Sequence, residues 1–421
     1  MRVLIVNTSQ CRGGAAVAAG RLLNALNKHG VKAQMLVRNK QTSDLCVSTL
    51  PPSRLDGLRF LWERLVIWAR NGFSRRRLFA VSIANTGRDI TRQPEFQAAD
   101  IIHLHWVNHG MLSLTDLRRI LDSGKPVVWT LHDMWPITGI CHHAGPCTAY
   151  RSECHHCPML GSQGGRHDLS QCVFERKRAV YAHGSIAWVA CSRWLMERAR
   201  ASALPHEQAT VVSIPNPIDT LRFRPQDRAR ARATLGLPPD APLILFGSVK
   251  TTDPRKGFEH LIQACRLLEQ HPFHTRPQLV IFGQGTRQLL PLMPLPTHAL
   301  PYIDSEQALI DLYNAVDVFV TPSLEENLPN MIMEAMSCGL PCVGFDTGGI
   351  PEMIDHLQNG YVATYASSDD LAEGIAWVLT HDNRARLGQE AVSKVKRCYS
   401  EQAVARAYIQ LYRQIAPHHA P

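Results

Sequence analysis

Short runs of β-branched and aromatic residues alternate with segments of helical composition along the chain. The first run starts at the N-terminus, and others recur at 100–106, 126–133, 185–192, 243–247 and 278–283. Apolar runs of this length are typical of buried strands, and their alternation with helices is typical of parallel sheets covered on both faces. The pattern predicts an α/β protein that binds ligands at the carboxyl edges of its strands.

The stretch from 318 to 341 shows this alternation of strand and helix most clearly. Val318–Thr321 predicts a short buried strand, and Met331–Ser337 predicts a helix that Gly339 ends. Glu326 lies just before the helix, where free N–H groups and the positive end of the dipole favour a diphosphate. Glu334 lies about two turns farther on, where it can accept hydrogen bonds from a ribose diol. Most glutamates are simply solvated helix residues. An unpaired charge among the apolar neighbours of Glu334 would be costly, however, so we favour a ligand-binding role for the two glutamates.

The length of the chain, 421 residues, suffices for two domains with separate cores. No apolar run approaches the ~20 residues of a membrane span, and the N-terminus lacks the layout of a signal peptide. These features predict a cytoplasmic protein. Its 12 cysteines are then expected to be free thiols or metal ligands rather than disulfides.

The two halves of the chain differ in charge. Residues 1–215 carry 27 Lys and Arg against 14 Asp and Glu, whereas residues 216–421 carry 18 against 22. A basic first half suggests an anionic partner. No nucleic-acid-binding module or interleaving of aromatic and basic residues is present, so an anionic membrane surface or a phosphorylated lipid fits better than nucleic acid.

Residues 54–78 combine apolar side chains at helical spacing with seven arginines. Such a helix can lie on anionic lipid with tryptophan at the boundary, which would attach the protein peripherally to the inner face of the plasma membrane. It can equally pack its apolar face on its own domain and leave a solvated basic face. The sequence leaves both interpretations open.

Polar groups follow two of the predicted strands. The run at 100–106 ends in histidine and tryptophan, and His132 and Asp133 end the run that starts at Pro126. A histidine at the carboxyl edge of a parallel sheet can hydrogen-bond a sugar hydroxyl, and Asp133 could orient it or the acceptor. A histidine that only caps its strand is the plainer alternative, but the position at the strand end favours a binding role.

Four cysteines fall within 17 residues, at Cys141, Cys147, Cys154 and Cys157. Their spacing, which includes a Cys-x-x-Cys pair, predicts a closed tetrathiolate Zn²⁺ site that stabilises a long loop. Four unligated thiols are the alternative. Because four thiolates leave no open coordination position, we expect this metal to be structural and not catalytic.

Two loops carry features that suit phosphate groups. Lys250, Arg255 and Lys256 precede a predicted helix that begins at Phe258, and their charges suit a pyrophosphate leaving group. The Gly13-Gly14 pair after the first strand lets a ligand approach the backbone closely, although its spacing is not a dinucleotide fingerprint.

The 322–341 stretch resembles the Glu-x7-Glu element of the family 4 retaining glycosyltransferases, which have the GT-B fold. The flanking motifs fall in register, namely Pro322-Ser, Glu334-Ala-Met, Cys338-Gly-x-Pro and Gly348-Gly-Ile-Pro-Glu. The resemblance covers essentially the whole chain, and Glu-Asn-x-Pro-Asn at 326–330 looks like the branch that builds bacterial exopolysaccharide and O-antigen, including colanic-acid-type enzymes. Asn327 departs from the family pattern, since many members have Gly there. Ser248 also departs, since many members have Arg there, so Lys250 or Arg255 is expected to supply the second charge.

The resemblance implies two Rossmann-like parallel-sheet domains that face a central cleft. Residues 1–215 would form the acceptor-side domain with the Cys-rich loop, and residues 216–399 would form the nucleotide-sugar domain. A helix within 400–421 would cross back to the first domain. Lys256 matches the lysine of the family's Arg-Lys-Gly motif. The catalytic residues implied are His132, Glu326 and Lys256. Donor contacts are implied for Gly13, Gly14, Lys250, Arg255, Ile303, Asn327, Leu328, Pro329 and Glu334.

The implied activity is the retaining transfer of a hexose from a nucleotide-diphosphate sugar to a saccharide, free or polyprenyl-linked, in surface polysaccharide or lipopolysaccharide synthesis. No catalytic metal is expected, which fits the absence of an Asp-x-Asp motif. A nucleotide-sugar epimerase of the same fold and a non-catalytic nucleotide-sugar-binding protein are the alternatives. Transfer without an epimerised product would exclude the first, and turnover would exclude the second.

Overall fold

The computed structural model describes residues 1–416 as two compact units. The first unit comprises residues 1–217 together with the described chain from Val404 onward, and the second comprises Ile218–Ala403. Each unit holds one parallel sheet packed with helices, so the prediction of an α/β protein with two Rossmann-like domains is confirmed. Residues 417–421, the end of the predicted 400–421 segment, lie outside the described residues.

The first domain is built on a seven-stranded sheet. Its strands are β1 Arg2–Ser9, β2 Lys32–Asn39, β3 Val47–Thr49, β4 Ile101–Leu104, β5 Val127–Leu131, β6 Ile186–Ala190 and β7 Val211–Ser213. Its helices are α1 Gly14–Lys28, α2 Asp56–Arg70, α3 Pro94–Ala98, α4 Leu114–Asp122, α5 Leu169–Tyr181 and α6 Arg193–Ala201. Short 3₁₀ turns lie at Trp135–Ile137, Ala149–Arg151 and Pro158–Gln163.

The second domain is built on a six-stranded sheet. Its strands are β8 Leu243–Lys250, β9 Gln278–Gln284, β10 Thr297–Leu300, β11 Val318–Thr321, β12 Cys342–Phe345 and β13 Gly360–Ala363. Its helices are α7 Arg228–Leu235, α8 Phe258–Gln270, α9 Thr286–Leu289, α10 Glu306–Ala315, α11 Asn330–Ser337, α12 Ile350–Met353, α13 Ser368–Thr380 and α14 Arg384–Cys398. Further 3₁₀ turns lie at Pro254–Lys256 and Leu290–Leu292.

Alternation of side chains across the strands divides the first domain into two cores. Leu4 and Val6 of β1 enter one core, whereas Val3 and Ile5 enter the core on the opposite face of the sheet. The last helix, α15 (Glu401–Ile415), contributes several side chains to this second core. The predicted return of the last helix to the first domain is therefore confirmed.

Both sheets reverse their strand order near the middle. The orders are β3-β2-β1-β4-β5-β6-β7 and β10-β9-β8-β11-β12-β13, and the pairings between these strands are parallel. The order reverses between β1 and β4 in the first sheet and between β8 and β11 in the second. Ligands of open parallel sheets bind beyond the carboxyl ends of the strands at such points. A ligand-binding site is therefore expected in the loops that follow these four strands. Of the helices within residues 1–416, none is long and apolar enough to cross a membrane.

Candidate active site

The reversal point of the second sheet brings two of the predicted catalytic residues together. Lys256 ends the 3₁₀ turn after β8, and Glu326 lies in the loop after β11. The Lys256 Nζ donates a hydrogen bond to Glu326 Oε1 and forms an ion pair with it. Because their side chains remain 31% and 17% exposed, the pair can still be reached by a ligand.

Two glycines pack closely against the backbone of the Glu326 loop. A β-carbon at Gly257, whose φ is +64°, would lie 1.8 Å from the carbonyl oxygen of Pro322. A β-carbon at Gly348, whose φ is +58°, would lie 1.7 Å from the carbonyl oxygen of Glu326. Only glycine tolerates both this backbone conformation and this close approach. The position of Glu326 therefore depends on backbone packing between three loops.

Hydrogen bonds between backbones reinforce the same packing. The Leu324 N–H donates to the carbonyl oxygen of Arg255 at 2.8 Å, and the Gly349 N–H donates to that of Asn327 at 2.7 Å. The sequence motifs contained these glycines, but the loops that they join are distant in the chain. Their steric role is visible only in the folded domain.

The other basic residues of the loop after β8 differ in their surroundings. Arg255 donates to Asp253 from Nη2 at 2.7 Å and from Nε at 3.2 Å, and this hydrogen bonding raises the pKa of its guanidinium. The Lys250 side chain is exposed at the end of β8. Ser248, where many family members have Arg, is buried. The donor contacts of Lys250 and Arg255 stay predictions.

The predicted helix after the Glu326 loop is confirmed as α11, and it carries Glu334. The Glu334 side chain is buried, and its Oε2 accepts a hydrogen bond from the Tyr313 hydroxyl of α10 at 2.9 Å. Burial and the nearby charge of Glu334 together raise the pKa of the Cys338 thiol. Sequence reasoning missed Tyr313, because an ordinary helical tyrosine gives no local signal of its partner. The ribose contact of Glu334 stays a prediction.

The remaining predicted donor contacts of this domain lie at the same edge of the sheet. Asn327 and Leu328 are buried in the loop before α11, and Pro329 directly precedes the first turn of that helix. Ile303 is half-buried and follows β10. None of these positions lies on the opposite, amino-terminal edge of the second sheet.

Histidines cluster at the carboxyl edge of the first sheet. His132 follows β5, and its Nε2 lies 2.9 Å from Nδ1 of His105, which follows β4. His103, on β4, lies 2.7 Å from both the Tyr412 and the Thr130 hydroxyls. Burial lowers the pKa of His132 to about 4 and that of His103 to about 3, so both rings are neutral at pH 7. His132 is thus held as a neutral hydrogen-bonding group.

Asp133, which follows His132, accepts hydrogen bonds from three neighbouring groups. Its Oδ2 accepts hydrogen bonds from His142 Nδ1 at 2.7 Å and from Trp106 Nε1 at 2.9 Å, and its Oδ1 accepts from the Trp135 N–H at 2.9 Å. Although burial opposes ionisation, the charge of His142 and its hydrogen bond hold the pKa of Asp133 well below its usual range. The His132 ring lies within hydrogen-bonding distance of His105, which sequence reasoning did not single out, and its Nδ1 lies 3.7 Å from Cys191 Sγ.

The glycine pair of the first domain is accessible. Gly13 and Gly14 are exposed at the start of α1. A β-carbon at Gly13 would meet nothing within 4 Å. The backbone is thus open to a ligand, and the predicted donor contact stays a prediction.

The four cysteines of the predicted zinc site line one small pocket, and all four are free thiols. The Gly139 N–H donates to Cys154 Sγ at 3.3 Å. Within residues 1–416, no group of three or more His, Cys, Asp and Glu side chains is arranged so that it could hold a metal ion. The structure brings the thiols into one pocket without forming a finished coordination shell, so zinc stays a prediction.

Two family models match this chain. The model described as "Glycosyltransferase Family 4" covers residues 12–222, and the model described as "Glycosyl transferases group 1" covers residues 227–394. One match lies mainly in the first domain and the other lies within the second, and neither includes the last helix.

Curated relatives of this chain are also named as glycosyltransferases. A D-inositol 3-phosphate glycosyltransferase of Saccharomonospora viridis is 32% identical over 212 residues, which are 47% of this chain and 48% of the relative. A protein of the same name from Corynebacterium jeikeium is 25% identical over 96% of this chain and 92% of its own length. A D-inositol 3-phosphate glycosyltransferase 2 of Catenulispora acidiphila is 31% identical over 48% of this chain and 50% of its own length. The chain thus matches only about half the length of the Saccharomonospora viridis and Catenulispora acidiphila relatives.

Solved structures show the same fold. Sucrose-phosphate synthase from Thermosynechococcus elongatus superposes with a TM-score of 0.66 at 18% identity, over 99% of this chain and all of the other. Anabaena HepE in complex with UDP and glucose superposes with a TM-score of 0.63 at 17% identity, over 98% of this chain and all of the other. The predicted GT-B fold is confirmed. Since the first family model alone covers half of the 421 residues and the second covers most of the remainder, the chain belongs to glycosyltransferase family 4.

Proposed function

We propose that this protein transfers a hexose from a nucleotide-diphosphate sugar to a saccharide acceptor, with retention of anomeric configuration. The observation that carries the proposal is the partly exposed Lys256–Glu326 pair, which lies at the reversal point of the second sheet and just before α11. The names of the relatives, which are glycosyltransferases, and the UDP in the HepE complex support it.

The chemistry follows from where charge develops. When the bond between the anomeric carbon and the donor phosphate oxygen breaks, its electron pair leaves with the diphosphate. The Lys256 ammonium and the free N–H groups at the start of α11 would stabilise that growing negative charge. The acceptor oxygen would bond to the anomeric carbon from the same face, and its proton would pass to the leaving phosphate oxygen. No catalytic metal is needed for this sequence of events.

The two carboxylates and the histidine would recognise the donor. Glu326 would accept hydrogen bonds from sugar hydroxyls while it also holds the Lys256 ammonium in position. Glu334 would accept from the ribose diol beside its bond from Tyr313. His132, kept neutral by burial, would bond to a hydroxyl of the donor sugar without adding charge.

The acceptor that we propose is a saccharide of surface polysaccharide synthesis, and a polyprenyl-linked saccharide fits best. This choice rests on the Glu-Asn-x-Pro-Asn sequence at 326–330. The relatives are named for D-inositol 3-phosphate, which makes an inositol phosphate the second acceptor to test.

A transfer assay tests the proposal and distinguishes both the candidate acceptors and the two alternative functions. UDP- and GDP-sugars are first screened by thermal shift, since a bound donor raises Tm by mass action. The best donor is then incubated with saccharide, lipid-linked saccharide or inositol phosphate, and the product configuration is read by NMR. We expect a product that keeps the donor's anomeric configuration, with no loss of rate in EDTA. An epimerised donor, or donor binding without turnover, would replace the proposal by one of the two alternatives.

We also propose that the thiol pocket binds one structural Zn²⁺ through Cys141, Cys147, Cys154 and Cys157. The four thiols share one pocket, and the Gly139 N–H already points to one sulfur. Lys177, which is completely buried, donates from Nζ at 2.9 Å to the carbonyl oxygen of Thr138, which lines the same pocket. A tetrathiolate zinc site carries a net negative charge, so a buried ammonium is a suitable neighbour.

Replacing Cys154 by serine is expected to abolish stoichiometric zinc and to lower Tm by roughly 5 °C or more, the shift that ~2 kcal/mol produces in a domain of this size. Cys172→Ser is the matched control, because this cysteine is exposed and lies outside the pocket. Elemental analysis and thermal unfolding measure the two effects. Wild-type protein without zinc, together with four freely titrating thiols at these positions, would refute the site.

A further inference from the structure

Helix α2 is oriented with its apolar stripe outwards. Leu58, Leu61, Trp62 and Leu65 follow i, i+3, i+4, i+7 spacing and form one stripe, and they are 59%, 60%, 55% and 48% exposed. The face that packs on the domain is formed by Glu63, Arg64 and Ile67. The interpretation in which the apolar face packs on its own domain is therefore wrong for these four residues.

A buried ion pair fixes this orientation. The Glu63 carboxylate lies 3.0 Å from Arg64 and accepts hydrogen bonds from the backbone N–H groups of Ile83 and Ala84 at 2.9 and 3.0 Å. Arg64 in turn donates to the carbonyl oxygen of Val81 at 3.1 Å. Rotation of the helix would break these hydrogen bonds and leave the buried N–H groups of Ile83 and Ala84 without their acceptor, so the packing favours the outward direction of the apolar stripe.

The apolar stripe belongs to a larger surface. Leu55 and Phe79 are more than half exposed and line the same groove as the stripe, together with Trp68 and Leu78. We call this groove and the stripe the α2 surface. Large apolar side chains that are exposed together around one groove indicate an interaction site, whereas single exposed apolar residues do not.

Positive charge surrounds the α2 surface. Five arginines of this segment are exposed, namely Arg54, Arg70, Arg75, Arg76 and Arg77, and Arg75 also lines the groove. The two acidic residues nearby are already paired within the domain. Asp56 lies 2.7 Å from Arg59 and 3.3 Å from Arg88, and Glu63 is buried against Arg64. The rim therefore presents net positive charge to a partner.

We infer that the α2 surface docks on an anionic lipid bilayer, with the helix lying in the interface. Leucine and tryptophan side chains enter the boundary between headgroups and acyl chains, and arginines meet the lipid phosphates. A symmetric dimer through this surface would place the same arginines of two copies against each other, which charge repulsion opposes. The inference goes beyond the proposed transfer reaction and does not rest on it.

Vesicle flotation of the full chain tests the inference without donor or acceptor. We expect at least ten-fold more protein on phosphatidylcholine vesicles containing phosphatidylglycerol than on pure phosphatidylcholine, with binding that falls as salt rises. Leu61→Ser/Trp62→Ser should reduce binding at least ten-fold, and Arg75→Glu/Arg76→Glu should remove the preference for anionic lipid. All four side chains are exposed, so Tm should not change.

Two matched controls use exposed residues of the second domain. Leu221→Ser/Leu292→Ser removes two exposed leucines, and Arg230→Glu/Arg266→Glu reverses two exposed arginines. Both should bind vesicles within two-fold of wild type. Equal binding by the Leu61→Ser/Trp62→Ser variant, or no binding by wild type, would overturn the inference. A lipid-free dimer that this variant abolishes would assign the α2 surface to a second copy instead.

Discussion

Lys256→Ala is expected to lower kcat by about 100- to 1000-fold, the usual cost of removing one group aimed at developing transition-state charge. Lys256 is paired with Glu326 at the reversal point of the second sheet, where the donor diphosphate is proposed to lie. Because charge on the diphosphate grows as the glycosidic bond breaks, the loss in kcat should exceed the loss in donor affinity. Initial rates with donor and acceptor measure the first quantity, and titration with nucleoside diphosphate measures the second.

Two further variants make this test specific. His132→Ala should also slow transfer but should bind nucleoside diphosphate almost normally, since that ligand lacks the sugar. Lys396→Ala removes an exposed lysine of α14 and should leave both quantities unchanged. If His132→Ala loses nucleoside diphosphate while Lys256→Ala retains it, the proposed roles of the two residues are reversed and must be reassigned.

Gly257→Ala is expected to lower the transfer rate by at least about 100-fold, although the added methyl group carries no charge. Its β-carbon would lie 1.8 Å from the carbonyl oxygen of Pro322, so the loop that carries Lys256 or the loop that carries Glu326 must move. A displacement of about 1 Å at a positioning element can cost that much in rate. The rate and the affinity for nucleoside diphosphate should therefore both fall.

Gly236→Ala is a matched control for this steric effect. Gly236 and Gly257 share φ 64° and ψ 30°, but a β-carbon at Gly236 would meet nothing within 4 Å. Alanine at Gly236 should therefore cost only the ~1–2 kcal/mol of a left-handed conformation and leave the rate unchanged. If both variants lose activity equally, backbone conformation rather than loop packing explains the loss.

Much of the fold could be read directly from the chain. Apolar runs that alternate with helical segments predicted an α/β protein with parallel sheets, and the strand at Val318–Thr321 is found at the predicted residues. The last helix, Glu401–Ile415, lies within the 400–421 segment that the family resemblance implied. These features are local, because burial on both faces of a strand requires a continuous apolar run. Strand ends also located Lys256, Glu326 and His132 at the carboxyl edges of their sheets.

The partners of these side chains were decided by the tertiary structure. The pairing of Glu334 with Tyr313 and the hydrogen bonds of Asp133 to His142 and Trp106 join residues whose local sequence contains no sign of each other. Such contacts depend on how separate elements pack. For the same reason, the steric need for glycine at Gly257 could not be read from its motif.

Helix α2 shows most clearly what the local sequence determines and what only tertiary packing decides. The sequence by itself determined that residues 54–78 contain an amphipathic helix rich in arginine, because periodicity is a local property. The same periodicity results whether the apolar stripe is covered by the protein's own domain or by something else. The buried Glu63–Arg64 pair, held by the backbone near Ile83, turned the stripe outwards. Only the tertiary structure could decide this, since the cost of burying that pair depends on hydrogen bonds from a distant segment.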